Sequence, residues 1–427
     1  MEKDNNLINR MLFLTILVFG VSYFSIFTNS AGIFTYGKWV MLVITIIVLS
    51  ITLRNLKVYL HKVNFEINNS FILIIAFFLF GVLSTVRSMN STTTILTEIS
   101  VGVSVLFVYL LTCYVKTNAD NLYNINEIFY RCLILVIVFA LVFGINDILD
   151  SIKNYDQVIQ WTGRLRIKGL FQHANGLASI CFVGIVCLFD NLNSHLNKRS
   201  KYKIIGIAFL GIVLCSTVSR TAMVCIGLFF FIYFFTKNII ETQNQRKRFL
   251  KSSVILFSII VGAITLFVVL LIYWNMPYDP TNSISDRIYG WKEIIANVNS
   301  DVWTQLFGCG LTNTGNYIVG ALNSLKVSSD NSFIILYFQL GISGVALLLC
   351  FIFYYINSLL KIYYCDRYEF SFKFALFISF IFYSSFENIF FAWGNIITIY
   401  VWFRLFLKRE KSNNNILYKQ ELGLIRS

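Results

Sequence analysis

Apolar runs of roughly 17 to 24 residues recur along the whole chain, and no other feature restricts its fold as much. They lack the alternation of barrel strands, and each is long enough to cross a bilayer as a helix. The runs fall at about 10–28, 37–53, 71–87, 95–115, 127–147, 174–190, 203–218, 220–236, 252–274, 332–356, 371–386 and 388–406. Composition supports this reading. Of 427 residues, 57% are hydrophobic and 13% charged, whereas a soluble domain carries roughly 25% charge. The expected fold class is all-α: a polytopic integral membrane protein of about 12 transmembrane helices with a large, partly helical extracytoplasmic loop. It forms a single polytopic domain over 1–427. The first run has no small-residue cleavage site and reads as a retained span.

Charge orients these spans. With the N-terminus inside, about 25 of the 35 Lys and Arg residues fall on the inner side and about 10 on the outer. Lys198, Arg199, Lys201, Lys203, Lys373 and Arg404 belong to the inner set. Moving the frame by one span would invert the bias. Both termini are therefore expected in the cytoplasm, and the net charge of +14 is an orientation signal rather than a nucleic-acid footprint. The nine cysteines form no CxxC pair and lie mostly within or beside apolar runs, so neither a disulfide framework nor a zinc site is expected.

Two outer segments exceed what a connection needs, 148–173 and 275–331. The second begins with both prolines, Pro277 and Pro280. Within it Ile284, Ile288, Trp291, Ile294 and Ile295 recur at helical spacing, which predicts an amphipathic helix over 283–298.

The positive-inside bias works against arginine on the outer side, yet arginines stand there beside glycine or serine. They are Arg164 and Arg166 in Gly163-Arg-Leu-Arg-Ile-Lys-Gly169, Arg220 in Ser216-Thr-Val-Ser-Arg-Thr-Ala222, and Arg287 in Ser285-Asp-Arg-Ile-Tyr-Gly290. A guanidinium presents a planar fork of donors that fits phosphate oxygens and keeps its charge. Several converging at headgroup level would suit a lipid-linked phosphate or diphosphate. Read as structural groups, the same arginines would snorkel or pair with Asp286 or Asp156. Asp330 and Asn331 precede the tenth run, where either could act chemically or cap a helix. Glu98 lies inside the fourth run, and a carboxylate at that depth is a functional candidate. His173 and Asn175 stand in Phe171-Gln-His-Ala-Asn-Gly176. No outward Asp-x-Asp, P-loop, dinucleotide fingerprint or HExxH occurs, so no cofactor and no metal site is expected.

In order along the chain, these elements are followed by Leu306-Phe-Gly-Cys-Gly-Leu311, Asp330-Asn-Ser-Phe333 and Leu340-Gly-Ile-Ser-Gly344. The set resembles the O-antigen ligase and Wzy-type polysaccharide polymerase superfamily over about the C-terminal two thirds of the chain. Ligases usually carry histidine in the final motif, where this sequence has Asp330. That departure tilts the resemblance toward a bacterial capsule or exopolysaccharide polymerase. The resemblance implies glycosyl transfer at the outer face of the cytoplasmic membrane from an undecaprenyl-diphosphate-linked oligosaccharide, with lipid diphosphate as leaving group and without a metal. Arg220 and Arg287 would stabilise the leaving group, and Asp330 would take the acceptor proton. Arg164, Arg166, His173, Asn175, Glu98 and Asn331 would bind substrate. Membrane lipid, a flippase and a chain-length regulator would be its partners. A ligase and a flippase or transporter of the same lipid-linked unit remain the alternatives. A transporter would be expected to show repeat symmetry, and no internal repeat is visible.

Overall fold

A computed structural model describes the protein at residues 2–21, 24, 37–60, 69–85, 91–117, 120–153, 166–171, 173–193, 200–241, 283–311, 331–389 and 396–407. The described residues are almost entirely helical. The helices are α1 (Glu2–Val21), α2 (Gly37–Leu60), α3 (Asn69–Thr85), α4 (Ser91–Thr117), α5 (Asp120–Phe143), α6 (Ile145–Lys153) and α7 (Ala174–Asn193). They continue with α8 (Ser200–Ser216), α9 (Arg220–Glu241), α10 (Ser283–Val298), α11 (Val302–Phe307), α12 (Ser332–Cys365), α13 (Arg367–Ser384) and α14 (Ile396–Phe406). Among the described residues, five helices are long and apolar enough to cross a membrane: Thr97–Lys116, Asn121–Phe143, Ala174–Leu192, Arg220–Ile240 and Ser332–Tyr363. Ile8–Val21, Leu42–Arg54, Ile72–Thr85 and Ile396–Phe406 are shorter apolar helices. The chain is thus a polytopic α-helical membrane protein. The expected span at 252–274 lies outside the described residues.

Burial sorts the helices into central and peripheral ones. Every residue of α7 from Leu177 to Leu188 is buried, as expected of a helix that is apolar all round. It packs against α5, α8, α9 and α14, and α9 also lies along α13. At the periphery, α12 exposes Ile342, Leu349, Phe353, Ile356 and Leu360. These recur every three, four or seven residues, so they form one stripe along the helix. In a membrane protein such a stripe faces lipid.

The predicted amphipathic helix is present over the expected residues, as α10. Ile288, Trp291 and Ile294 are buried. Ile294 and Val298 join Cys309 and Phe338 in a small apolar cluster that fastens this segment to the start of α12. A backbone device completes the attachment. Gly341, at φ 62°, breaks α12 within its run, so the carbonyls of Phe338 and Gln339 lose their partners one turn ahead. Cys309 N donates to Phe338 O at 2.8 Å and Gly310 N to Gln339 O at 3.0 Å. The approach requires glycine on both sides. A Cβ on Gly308 would lie 2.3 Å from the Gln339 carbonyl, and one on Gly341 would lie 2.5 Å from Gln305 O. The Gly-Cys-Gly and Leu-Gly-Ile motifs, separate in the sequence, are two halves of one joint.

Three cations counted to the inner side are buried inside the bundle instead. Lys203 reaches Tyr123, with its ammonium 4.7 Å from the ring centre. Arg404 contacts both Asp190 and Glu369, and Glu369 also pairs with Lys373 at 3.3 Å. Charge this deep is tolerated because each cation meets a carboxylate or an aromatic face.

Candidate active site

At the opposite end of α7 and α13 from that ion cluster, five chain segments converge. The first comprises 166–171 and 173–175. Its Gly169, at φ 57°, packs against the last turn of α5, and Leu170 N donates to Ala140 O at 3.1 Å. Held there, Ile167 N reaches Ser216 O at 3.1 Å. The Arg166 side chain then bridges the turn after α8 and the start of α7. Its Nε donates to Thr217 O at 3.0 Å, and its Nη2 to Asn175 Oδ1.

The second segment is the turn between α8 and α9. Val218 adopts φ 52° there. This region is costly for a β-branched residue, and strain of this kind collects at functional sites. The turn places Arg220 at the first position of α9, exposed and with no hydrogen bond or ion pair among the described residues. An exposed guanidinium with unfilled donors is available to a ligand.

The remaining segments meet at the turn after α13. Glu387 Oε1 accepts from Asn175 Nδ2 at 2.5 Å and lies 3.9 Å from Arg287 Nη2. Arg287, on α10, also donates from Nη1 to Phe386 O at 2.9 Å. Ser332, the first residue of α12, donates its hydroxyl to Glu387 O at 2.8 Å and accepts from Ile389 N at 3.0 Å. Asn331 caps α12, its Oδ1 accepting from Phe333 N and Ile334 N at 2.9 and 3.1 Å. The starts of α7, α9 and α12 therefore all border one site. The aligned peptide dipoles of these helices give it a positive potential beyond that of the arginines.

Of the residues singled out in the sequence, Arg166, Asn175, Arg220, Arg287 and Asn331 fall within this constellation. His173 is exposed at the turn before α7 and makes no side-chain hydrogen bond among the described residues. Glu98 is buried in α4, and its Oε1 has no hydrogen-bond partner among the described residues. Nothing described links it to the cluster. Arg164 and Asp330 lie outside the described residues. Sequence reasoning missed Glu387 and Ser332. The available signal was a lone acid in the turn between two closely spaced apolar runs, which needs a partner.

No curated protein matches the chain. Its residues 205–349 match the O-antigen ligase family model. That stretch contains Arg220, Arg287 and Asn331, while Arg166, Asn175 and Glu387 come from flanking sequence packed around it. Over that stretch, which is less than half of the chain, the protein is similar to the O-antigen ligase family.

Proposed function

We propose that the protein polymerises undecaprenyl-diphosphate-linked oligosaccharide repeat units at the outer face of the bacterial cytoplasmic membrane. One observation carries this reading. Arg166, Arg287 and the turn bearing Arg220 converge where three helices begin. Guanidinium forks and helix starts are both suited to phosphate oxygens, and a diphosphate offers enough oxygens to engage several at once.

The reaction is a displacement at an anomeric carbon. The acceptor hydroxyl oxygen forms the new bond to that carbon as the carbon–oxygen bond to the diphosphate breaks. The diphosphate leaves with the electron pair, and the hydroxyl proton passes to Asp330. Arg220 and Arg287 stabilise the growing charge on the leaving group, which is where fixed cations lower such a barrier most. Arg166 ties Asn175 to the Arg220 turn, and Arg164 extends the same basic segment. Asn331 and Ser332 set the start of α12, adjoining Asp330. His173, exposed just before α7, is positioned to meet the sugar. The acid at 330, in place of the histidine usual in ligases, favours polymer growth over transfer to a different acceptor.

Single replacement of Arg220, Arg287 and Asp330 in cells tests the assignment. Loss of long chains with accumulation of single lipid-linked units outside the membrane is the expected result. Units trapped on the cytoplasmic side would identify a transporter, and normal polymer from all three variants would remove the site.

A further inference from the structure

Glu387 poses a question that the arginines alone do not. A site that holds a diphosphate through guanidinium groups gains nothing obvious from a carboxylate among them. Yet this one accepts from Asn175 at 2.5 Å and lies 3.9 Å from Arg287, with 12% of its side chain exposed. Its backbone is pinned separately. Ser332 Oγ holds Glu387 O, and Arg287 Nη1 holds the neighbouring Phe386 O. The main chain is thus fixed by contacts that do not involve the carboxylate, while the side chain retains three rotatable bonds with which to swing away. At 3.9 Å the Arg287 pair is looser than a direct charge-assisted hydrogen bond, which spans about 2.7–2.9 Å.

On the reading that this site takes the diphosphate, we infer that Glu387 is an internal counter-ion, a positioning residue that occupies the arginine site until the diphosphate displaces it. Arg220 and Arg287 without it would hold a diphosphate very firmly, and that same diphosphate must leave after each transfer. The carboxylate keeps Arg287 and Asn175 in place while the site is empty, competes with the ligand for them, and returns to them as the product departs. Any ligand that must displace an internal group binds more weakly by the free energy of that displacement. Here the competition speeds release at the expense of affinity.

The test uses the full-length protein in lipid nanodiscs, with inorganic diphosphate as the binding probe and a lipid-linked repeat unit as the turnover substrate. Glu387→Gln keeps an acceptor for Asn175 but removes the charge. It is expected to bind diphosphate about tenfold more tightly than the unaltered protein, as removal of one nearby like charge predicts. The KM for the lipid-linked unit and kcat should fall together, because release becomes limiting. Glu387→Asp keeps the charge and should restore diphosphate affinity to near the unaltered value. It also covers the case in which Glu387→Gln does not fold. Equal or weaker diphosphate binding by a folded Glu387→Gln overturns the counter-ion role. If Arg287→Ala still abolishes binding in that case, the anion site itself stands. If neither the unaltered protein nor Glu387→Gln binds diphosphate, both the counter-ion role and the anion site fall.

Discussion

The Arg404 guanidinium lies 3.2 Å from the Asp190 carboxylate, fully buried. Its Nη1 and Nη2 meet Glu369 at 3.3 Å, and the Phe372 ring lies against it, 4.8 Å from its central carbon. Asp190 also accepts from Asn126 at 2.6 Å and from Tyr368 at 3.3 Å. α5, α7, α13 and α14 are joined through these few atoms. The pairs need not add much stability relative to an apolar core, but removing one member leaves its partner charged and alone. Arg404→Ala should therefore cost about 3–5 kcal/mol, read as a lower unfolding midpoint in detergent. Arg404→Lys should recover only part of that, because an ammonium cannot bridge two carboxylates with a planar fork. A double variant, Arg404→Met with Asp190→Asn, should be less damaging than Arg404→Ala alone. Equal losses in the single and double variants would show that the ion pair is not what holds α14.

The joint between the Gly-Cys-Gly segment and the α12 break makes a second, separable prediction. Gly308 sits at φ 76° and ψ −170°, a region that side chains enter only at a cost of about 1–3 kcal/mol. A Cβ there would also strike the Gln339 carbonyl at 2.3 Å. Gly308→Ala should release the segment from α12, exposing it to protease cleavage and moving α10 with Arg287 away from the turn at Phe386. Gly227, in α9, has nothing within 4 Å of its would-be Cβ. Gly227→Ala should leave the protein unchanged or more stable by up to about 1 kcal/mol, since alanine is the better helix former. Limited proteolysis of the two variants side by side separates an effect of the joint from a general effect of adding a methyl group.

These two features also mark where the sequence could be read and where it could not. Helix α10 was legible because burial of Ile288, Trp291 and Ile294 imposes a local period. The glycines at 308 and 341 were visible as motifs, but their docking joins backbones about 30 residues apart, and such pairing leaves no period to detect. Counting positive charges gave a frame for the spans but treated Lys203, Lys373 and Arg404 alike with surface lysines, because a count carries no depth. All three are buried. In the candidate site, Arg166, Asn175 and Arg287 stood out by chemistry and place. Glu387 acquires its role only from the helix packing that sets α7, α10 and α12 around one turn.

Arg166 differs from Arg220 in having donors already committed. It joins Thr217 O, just after the end of α8, to Asn175 at the start of α7, so its part is to hold the turn that carries Arg220. Arg166→Lys keeps the charge but cannot serve both acceptors in one plane. It should lower polymer synthesis by about tenfold or more, since misplacing a reacting group by an ångström costs a comparable or larger factor. It should also lower the unfolding midpoint, because Thr217 O and Asn175 lose a shared donor.

Arg220 is the converse case. It is exposed and has no partner among the described residues, so nothing in the described fold depends on its charge. Arg220→Ala should change stability by no more than about 0.5 kcal/mol, as surface replacements away from special features do. Its effect on polymer synthesis should nevertheless be at least as large as that of Arg166→Lys, because a donor for the leaving group is lost outright. The two variants should therefore separate when unfolding midpoint is measured beside synthesis of long chains. Arg166→Lys should fall on both axes and Arg220→Ala on the second alone. An Arg220→Ala protein that makes normal polymer would show that this guanidinium faces solvent or lipid headgroups rather than the diphosphate.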